Sequence, residues 1–331
     1  MASPKQQRID PSKVPSTPAK KNAGKSGRPG GRPAAAVAAK KATAADWISG
    51  ARLRTLPLSI APVILGTGAA HLLDQNGWHW VRALLALAVA VALQIGVNYA
   101  NDYSDGIRGT DKFRVGPARL TGSGAAKPRA VLAVALTFFG IAAIAGLTLV
   151  ILTGQYWLLI VGAVAIVAAY FYTGGKRPYG YNALGEVFVF IFFGLVATAG
   201  TTYVQEGTVN LESWIGGVAI GFIACAVLMV NNIRDITPDK AAGKRTLAVL
   251  LGDRVSRIVF AVFMLLPFVI VFFFGLLYTN AYLVLFALLL AGPAVVITLT
   301  AKTPGELILA LKLASFTALL YAIGLGAALA F

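Results

Sequence analysis

The chain has 331 residues, 57% of them hydrophobic and only 13% charged, against roughly 25% charged in soluble domains, so it reads as an integral membrane protein and not as a soluble globular one. Its formal charge of +16 does not make it a nucleic-acid binder, because twelve of its 29 Lys and Arg residues stand in the first 54 positions and nearly all the rest fall between apolar runs. One cysteine, Cys225, lies inside an apolar run and leaves no disulfide framework to read.

In chain order, Met1 to about Thr43 is rich in Lys, Pro, Ala, Gly and Ser and has no periodic apolar face. It is expected to be a disordered basic tail (1–43), each cation attracted to anionic headgroups by about 1 kcal/mol. More than fifty residues precede the first apolar run, which argues against a signal peptide. Residues 44–331 form the membrane domain. A spanning helix needs about 20 apolar residues, and the segments that qualify are 55–73, 80–100, 129–152, 156–173, 184–204, 214–232, 256–278, 281–300 and 307–330. The expected fold is therefore an all-α, polytopic bundle of about nine transmembrane helices. Thr153-Gly154-Gln155 and Tyr278 to Ala281 leave room only for tight hairpins.

Loops 101–128, 174–183, 233–255 and 301–306 carry the Lys and Arg, while the alternate loops carry none and Arg82 lies just inside the second span. The positive-inside rule then puts the N-terminus in the cytoplasm and the last residue outside. A multi-pass protein of the cell (plasma) membrane is expected, with its site on the cytoplasmic side.

That side also collects acids. N-Y-A-N-D-Y-S-D-G-I-R-G-T-D (98–111) holds Asp102, Asp105 and Asp111, and N-N-I-R-D-I-T-P-D-K (231–240) holds Asp235 and Asp239. Four spans separate the clusters, so both face one side. Asn98 to Asp102 and Asp235 to Asp239 are i,i+4 pairs, and Asp102 to Asp105 is i,i+3, spacings that share a helix face. Acids at a membrane helix usually meet a cavity and a partner. Aspartates are hard oxygen donors suited to Mg²⁺ shared with substrate phosphates. His71 and His79 lie at the opposite side and read as interfacial, and no G-x-x-x-x-G-K-[ST] loop occurs. Two Asp clusters mixed with Arg and Lys fit a diphosphate bridged by Mg²⁺, stabilised as it leaves an allylic lipid cation.

With these residues the chain resembles the UbiA-type intramembrane prenyltransferases over about residues 46–331. N-D-Y-S-D-G-I-R-G-T-D with R-V-G-P-A-R (114–119), and N-N-I-R-D-I-T-P-D-K-A-A-G-K-R-T-L-A-V (231–249), are similar to the two motifs of its MenA branch, the 1,4-dihydroxy-2-naphthoate polyprenyltransferases. The 4-hydroxybenzoate branch usually has an Asp where Gly109 stands here. Tyr172 to Lys176 is similar to the family's Y-x-x-x-K motif. The resemblance implies that Asp102, Asp105 and Asp111 bind one Mg²⁺, with Asn98 as ligand or orienter, and that Asp235 and Asp239 bind a second. It implies Lys176 and Tyr172 as site residues. Arg114, Arg119, Arg234, Lys244 and Arg245 are candidates to hold the diphosphate, or else serve only the positive-inside bias. Glu186 heads a run containing Phe188, Phe190, Phe192 and Phe193; it either assists the acceptor or neutralises a basic loop residue, and the rings either shield a carbocation or pack.

The implied activity is transfer of a polyprenyl group from polyprenyl diphosphate to 1,4-dihydroxy-2-naphthoate with loss of CO₂, in the lipid bilayer. Another UbiA-type acceptor (4-hydroxybenzoate, haem or a chlorophyllide) is the nearest alternative. A cation-coupled transporter is the rival of a different class, disfavoured because its site would lie near the midplane.

Overall fold

Capping residues and glycines set the boundaries of the helices. The computed structural model describes residues 41–75, 77–110 and 119–331, which are helix and turn without a strand. Helix α1 (Ala44–Gly50) opens with a capping box between Thr43 and Asp46. A left-handed Arg52 (φ 54°) and one 3₁₀ turn, Leu53–Thr55, then lead to α2 (Pro57–Leu73), whose proline at the first position suits a helix start. The chain bends by 46° between Ala44–Thr55 and α2. Helix α3 (Trp80–Arg108) runs unbroken through the first acidic stretch and stops at Gly109, φ 71°, a left-handed cap that favours glycine.

Helix α4 (Pro128–Thr153) ends at Gly154 in the same way, and α5 spans Leu158–Phe171. Helices α6 (Gly185–Val189) and α7 (Ala197–Glu206) are joined by a π-helical turn, Phe190–Val196, into one apolar span. Helix α8 (Leu211–Arg234) is followed by the short α9 (Ile236–Ala241). Helix α10 (Leu247–Leu277) breaks at Gly252 (φ 76°, ψ 169°). A 3₁₀ stretch, Thr279–Ala287, precedes α11 (Leu288–Thr300), and α12 (Pro304–Ala330) starts with a Thr303/Glu306 capping box.

Among the described residues seven helices are long and apolar enough to cross a membrane, eight when the bent pair Ala44–Thr55 and Pro57–Leu73 counts as one span. The expected segment 156–173 differs: α5 has 14 residues, about 21 Å of helix against a hydrocarbon core of about 30 Å. The turn after Gly154 consumes the first residues of that apolar run.

Helix α8 is the axis of the core. Its Ile220, Ile223, Met229 and Val230 are buried against Leu65 of α2, Met264 of α10 and Leu311 of α12, among others. Without water to drive association in lipid, close backbone approach does much of the work. A Cβ on Gly194 would lie 2.6 Å from the Gly221 Cα, and one on Gly68 would lie 2.2 Å from the Gly326 carbonyl oxygen. The first contact pins the π turn to α8 and the second pins α2 to α12. A smaller cluster of Tyr99, Leu120, Val131 and Phe139 fixes the acidic end of α3 against α4 and the 119–127 loop.

Candidate active site

One face of α3 lines a cavity of about 620 Å³: Ala86, Val89, Ala90, Leu93, Gln94, Val97, Asn98, Asn101 and Asp105. These are steps of three and four, the helical stripe. The face is apolar through Leu93 and polar near its C-terminal end. Helix α8 presents a matching stripe, Ala224, Val227, Leu228, Asn231 and Asn232, continued by Asp235 at the α8–α9 junction and Asp239 of α9. The Asp239 amide donates to the Asp235 carbonyl at 2.8 Å, carrying the turn across the α8–α9 junction. The two acid-bearing ends therefore face one chamber.

Lys244 joins them. Its Nζ lies 3.3 Å from Asp105 Oδ1 and 3.6 Å from Asp239 Oδ1. Arg119 Nη1 donates to Asp105 Oδ2 at 2.5 Å and to the Asn101 carbonyl at 2.9 Å. The Tyr181 hydroxyl donates to Asp105 Oδ1. The Tyr181 phenol is a donor at neutral pH even at its ordinary value, and burial, and then the Asp105 carboxylate, push it higher.

Asp102 is directed elsewhere. Both its oxygens accept backbone amides, from Thr121 and Leu120, each at 2.9 Å. It borders a smaller pocket of about 290 Å³ between α1 and α3, with Arg52, Arg54, Asn98 and Arg119. Asn101, one residue earlier, takes the cavity position instead: its Oδ1 accepts from Thr173 Oγ1 at 2.7 Å. The Asn98 amide nitrogen donates to the Ala51 carbonyl at 2.9 Å.

The remaining expected residues divide. Asp235 and Asp239 line the cavity, as do Lys244, Arg119 and Tyr172. Buried Arg234 forks onto Asp235, with Nε 2.8 Å from Oδ1, and also donates to Asn231 Oδ1 at 3.0 Å; it holds the acid and does not border the cavity. Glu186 is buried one step behind the wall, accepting from Asn232 Nδ2 at 3.1 Å. Phe188, Phe192 and Phe193 line the cavity, while Phe190 packs on Phe222 with centroids 5.1 Å apart. Lys176 and Arg245 are exposed and outside the lining; Arg245 contributes its backbone amide to the Tyr181 carbonyl at 2.8 Å. Asp111 and Arg114 lie outside the described residues. His71 stacks on Trp78 (4.0 Å) and His79 lies 3.6 Å from Glu206, both away from the acids at the other end of α3.

Tyr181, Arg108 and Asn101 were not anticipated from sequence. Gln94-Asn98-Asn101-Asp105 repeats at helical spacing and would have flagged Asn101. Arg108 donates to the carbonyls of Thr173 and Gly175, holding the α5–α6 loop to α3. No pattern marks Tyr181, which lies in a loop.

The donor set fits a divalent cation. Asp105, Asp235 and Asp239 all border the chamber, Asp235 with its two oxygens held by the Arg234 fork, and the Lys244 ammonium already sits as a positive charge between Asp105 and Asp239. Hard oxygen donors with room for a phosphate suit Mg²⁺ better than a softer metal. Beyond this head the lining turns apolar, with Gly146, Val150, Gly162, Ala165 and Gly200 among its residues. Along α3 it extends about 28 Å from Asp105 back to Ala86, at 1.5 Å per residue.

The model of the UbiA prenyltransferase family matches residues 59–319. The 1,4-dihydroxy-2-naphthoate octaprenyltransferase of Mycobacterium tuberculosis is 56% identical over 66% of this chain and 74% of its own. The Escherichia coli protein of the same name is 39% identical over 64% of this chain and 70% of its own. Among solved structures, a UbiA homologue from Aeropyrum pernix superposes with a TM-score of 0.62 at 17% identity, covering 81% of this chain and 96% of that one. A UbiA homologue from Archaeoglobus fulgidus bound to GPP and Mg²⁺ gives 0.57 at 13% identity, covering 85% and 99%.

Proposed function

The chain belongs to the UbiA prenyltransferase family, and from that premise we propose that it transfers a polyprenyl group from polyprenyl diphosphate to 1,4-dihydroxy-2-naphthoate, releasing CO₂ and diphosphate and giving demethylmenaquinol for menaquinone synthesis. The observation that carries the reading is the joined pair of acid-bearing ends: one ammonium reaches Asp105 and Asp239 at the head of a long apolar cavity. A charged head on an apolar trough is the shape of a polyprenyl diphosphate. The naphthoate acceptor is supported by the relatives that carry its name at 34% to 56% identity.

Asp105, Asp235 and Asp239 would hold Mg²⁺; Asn98 borders the same cavity two turns earlier on α3 with its amide donated to Ala51, and Asp102 is committed to the Leu120–Thr121 backbone. When bound, Mg²⁺ supplies positive charge against the diphosphate as the allylic C–O bond breaks. Lys244 and Arg119 add cationic donors at the same end. Tyr172, Phe188, Phe192 and Phe193 line the same cavity; faces turned to the allylic carbon would stabilise a cation there and keep water from it. The acceptor ring carbon that bears the carboxylate forms the new C–C bond to the allylic carbon as diphosphate leaves. The carboxylate departs from that carbon as CO₂, and its bonding pair restores the aromatic ring. Loss of CO₂ in place of a ring proton removes the need for a side-chain base there, so Glu186 acts by holding Asn232. The basic loops argue for a cytoplasmic active site in a plasma-membrane protein.

Purified full-length protein with Mg²⁺ and farnesyl or longer diphosphate tests the acceptor. Prenylation of the dihydroxynaphthoate, well above 4-hydroxybenzoate, is expected. Equal or reversed preference overturns the assignment.

A further inference from the structure

The loop between α5 and α6 contributes one side chain that touches both halves of the site. The Tyr181 hydroxyl donates to Asp105 Oδ1. Two cations lie over its ring, Lys244 Nζ 4.6 Å and the Arg108 guanidinium carbon 5.5 Å from the centroid. Its carbonyl accepts the Arg245 amide at 2.8 Å, tying the segment after α9 to this loop. Lys244, Tyr181 and Asp105 all border the cavity.

We infer that Tyr181 is a positioning residue with two separable functions: its hydroxyl orients Asp105 for a divalent cation, and its ring aims Lys244 at the diphosphate. The inference rests on the functional reading above and adds how the first carboxylate and the mobile lysine are held. A carboxylate that binds a metal through one oxygen has a second degree of freedom, rotation about its own bond, and a hydrogen bond from the next layer removes it. A lysine on a four-carbon stem likewise has many rotamers, and a π face within 6 Å of its ammonium narrows them.

The two functions separate by substitution. Tyr181→Phe keeps the ring and the backbone contact and loses the hydroxyl; Tyr181→Leu loses both hydroxyl and π face. Mn²⁺ binding to the purified full chain, without substrate, is read by electron paramagnetic resonance. Tyr181→Phe should weaken Mn²⁺ about ten-fold, with an unchanged thermal midpoint and an unchanged KM for prenyl diphosphate. Tyr181→Leu should show the same Mn²⁺ loss and, in addition, a KM for prenyl diphosphate raised several-fold. Wild-type Mn²⁺ affinity in Tyr181→Phe overturns the hydroxyl function, and equal KM values in the two variants overturn the ring function. If Tyr181→Leu does not fold, Tyr181→Met, which likewise lacks both phenol and π face, replaces it and should show the same raised KM; a KM equal to that of Tyr181→Phe overturns the ring function. A wild-type chain that binds Mn²⁺ but does not prenylate the naphthoate refutes the functional reading alone, since the Mn²⁺ affinities still decide the hydroxyl function.

Discussion

Removing Lys244 should destabilise the protein mainly when no divalent cation is present. Its ammonium faces Asp105 at 3.3 Å and Asp239 at 3.6 Å, and its side chain is 11% exposed. At an effective dielectric of about 20, one contact at 3.3 Å carries about 5 kcal/mol of Coulomb attraction before desolvation is counted. Deleting one partner of a buried pair costs about 3–5 kcal/mol, because the other charge stays buried. Here Arg119 still faces Asp105, which argues for the lower end, about 3 kcal/mol. Lys244→Gln in a chelator should therefore unfold several degrees below wild type, and saturating Mg²⁺ should close most of that gap by supplying the missing charge. Turnover should stay low even with Mg²⁺, about 10²-fold or more below wild type, as for loss of one preorganised donor to developing charge. The assays are thermal unfolding in detergent with and without Mg²⁺, and single-turnover prenyl transfer. A variant as stable as wild type in chelator, or a gap indifferent to Mg²⁺, refutes the bridging charge.

The acids should separate by where their oxygens point. Asp105→Ala and Asp235→Ala are expected to lower turnover by at least about 10³-fold while remaining folded. Asp102→Asn should cost far less turnover but should speed proteolysis in the 119–127 loop, because its oxygens hold the Leu120 and Thr121 amides; loss of activity equal to Asp105→Ala would contradict that division. A Cβ at Gly162 or Gly200 would meet nothing within 4 Å, and both residues border the cavity, so Gly162→Leu and Gly200→Leu should still use farnesyl diphosphate but discriminate against longer chains; an unaltered chain-length profile in both would show that the tail lies elsewhere. Lys176→Ala and Arg245→Ala, at exposed positions, should change turnover by less than about two-fold, within the range of ordinary surface substitutions.

The helices were legible because apolar length and charge asymmetry act locally, and the two Asp motifs were legible because acids are rare in this chain. The orientation of each acid was not. Asp102 and Asp105 are one helical step apart, and what separates them is a loop eighteen residues on whose Leu120 and Thr121 amides need acceptors. The same limit applies to basic residues. Lys244 turns inward and Arg245 outward although they are neighbours, because the Arg245 amide is bound to the Tyr181 carbonyl. Tyr181 sits in a stretch without periodicity, so only the folded loop brings its ring to the acids. The shortness of α5 follows from a turn that begins at Gly154 and takes residues an apolar count would assign to a span.

That short helix changes what concentration means for this protein. None of the α5 residues is buried, yet Leu158, Gly162 and Ala169 border the cavity, so a single thin wall stands between the chamber and the surrounding acyl chains. A segment shorter than the hydrocarbon thickness pulls the leaflets together around it. A long-chain substrate that crosses this wall is drawn from a two-dimensional reservoir, and saturation should then track its mole fraction among lipids or detergent and not its amount per litre of buffer.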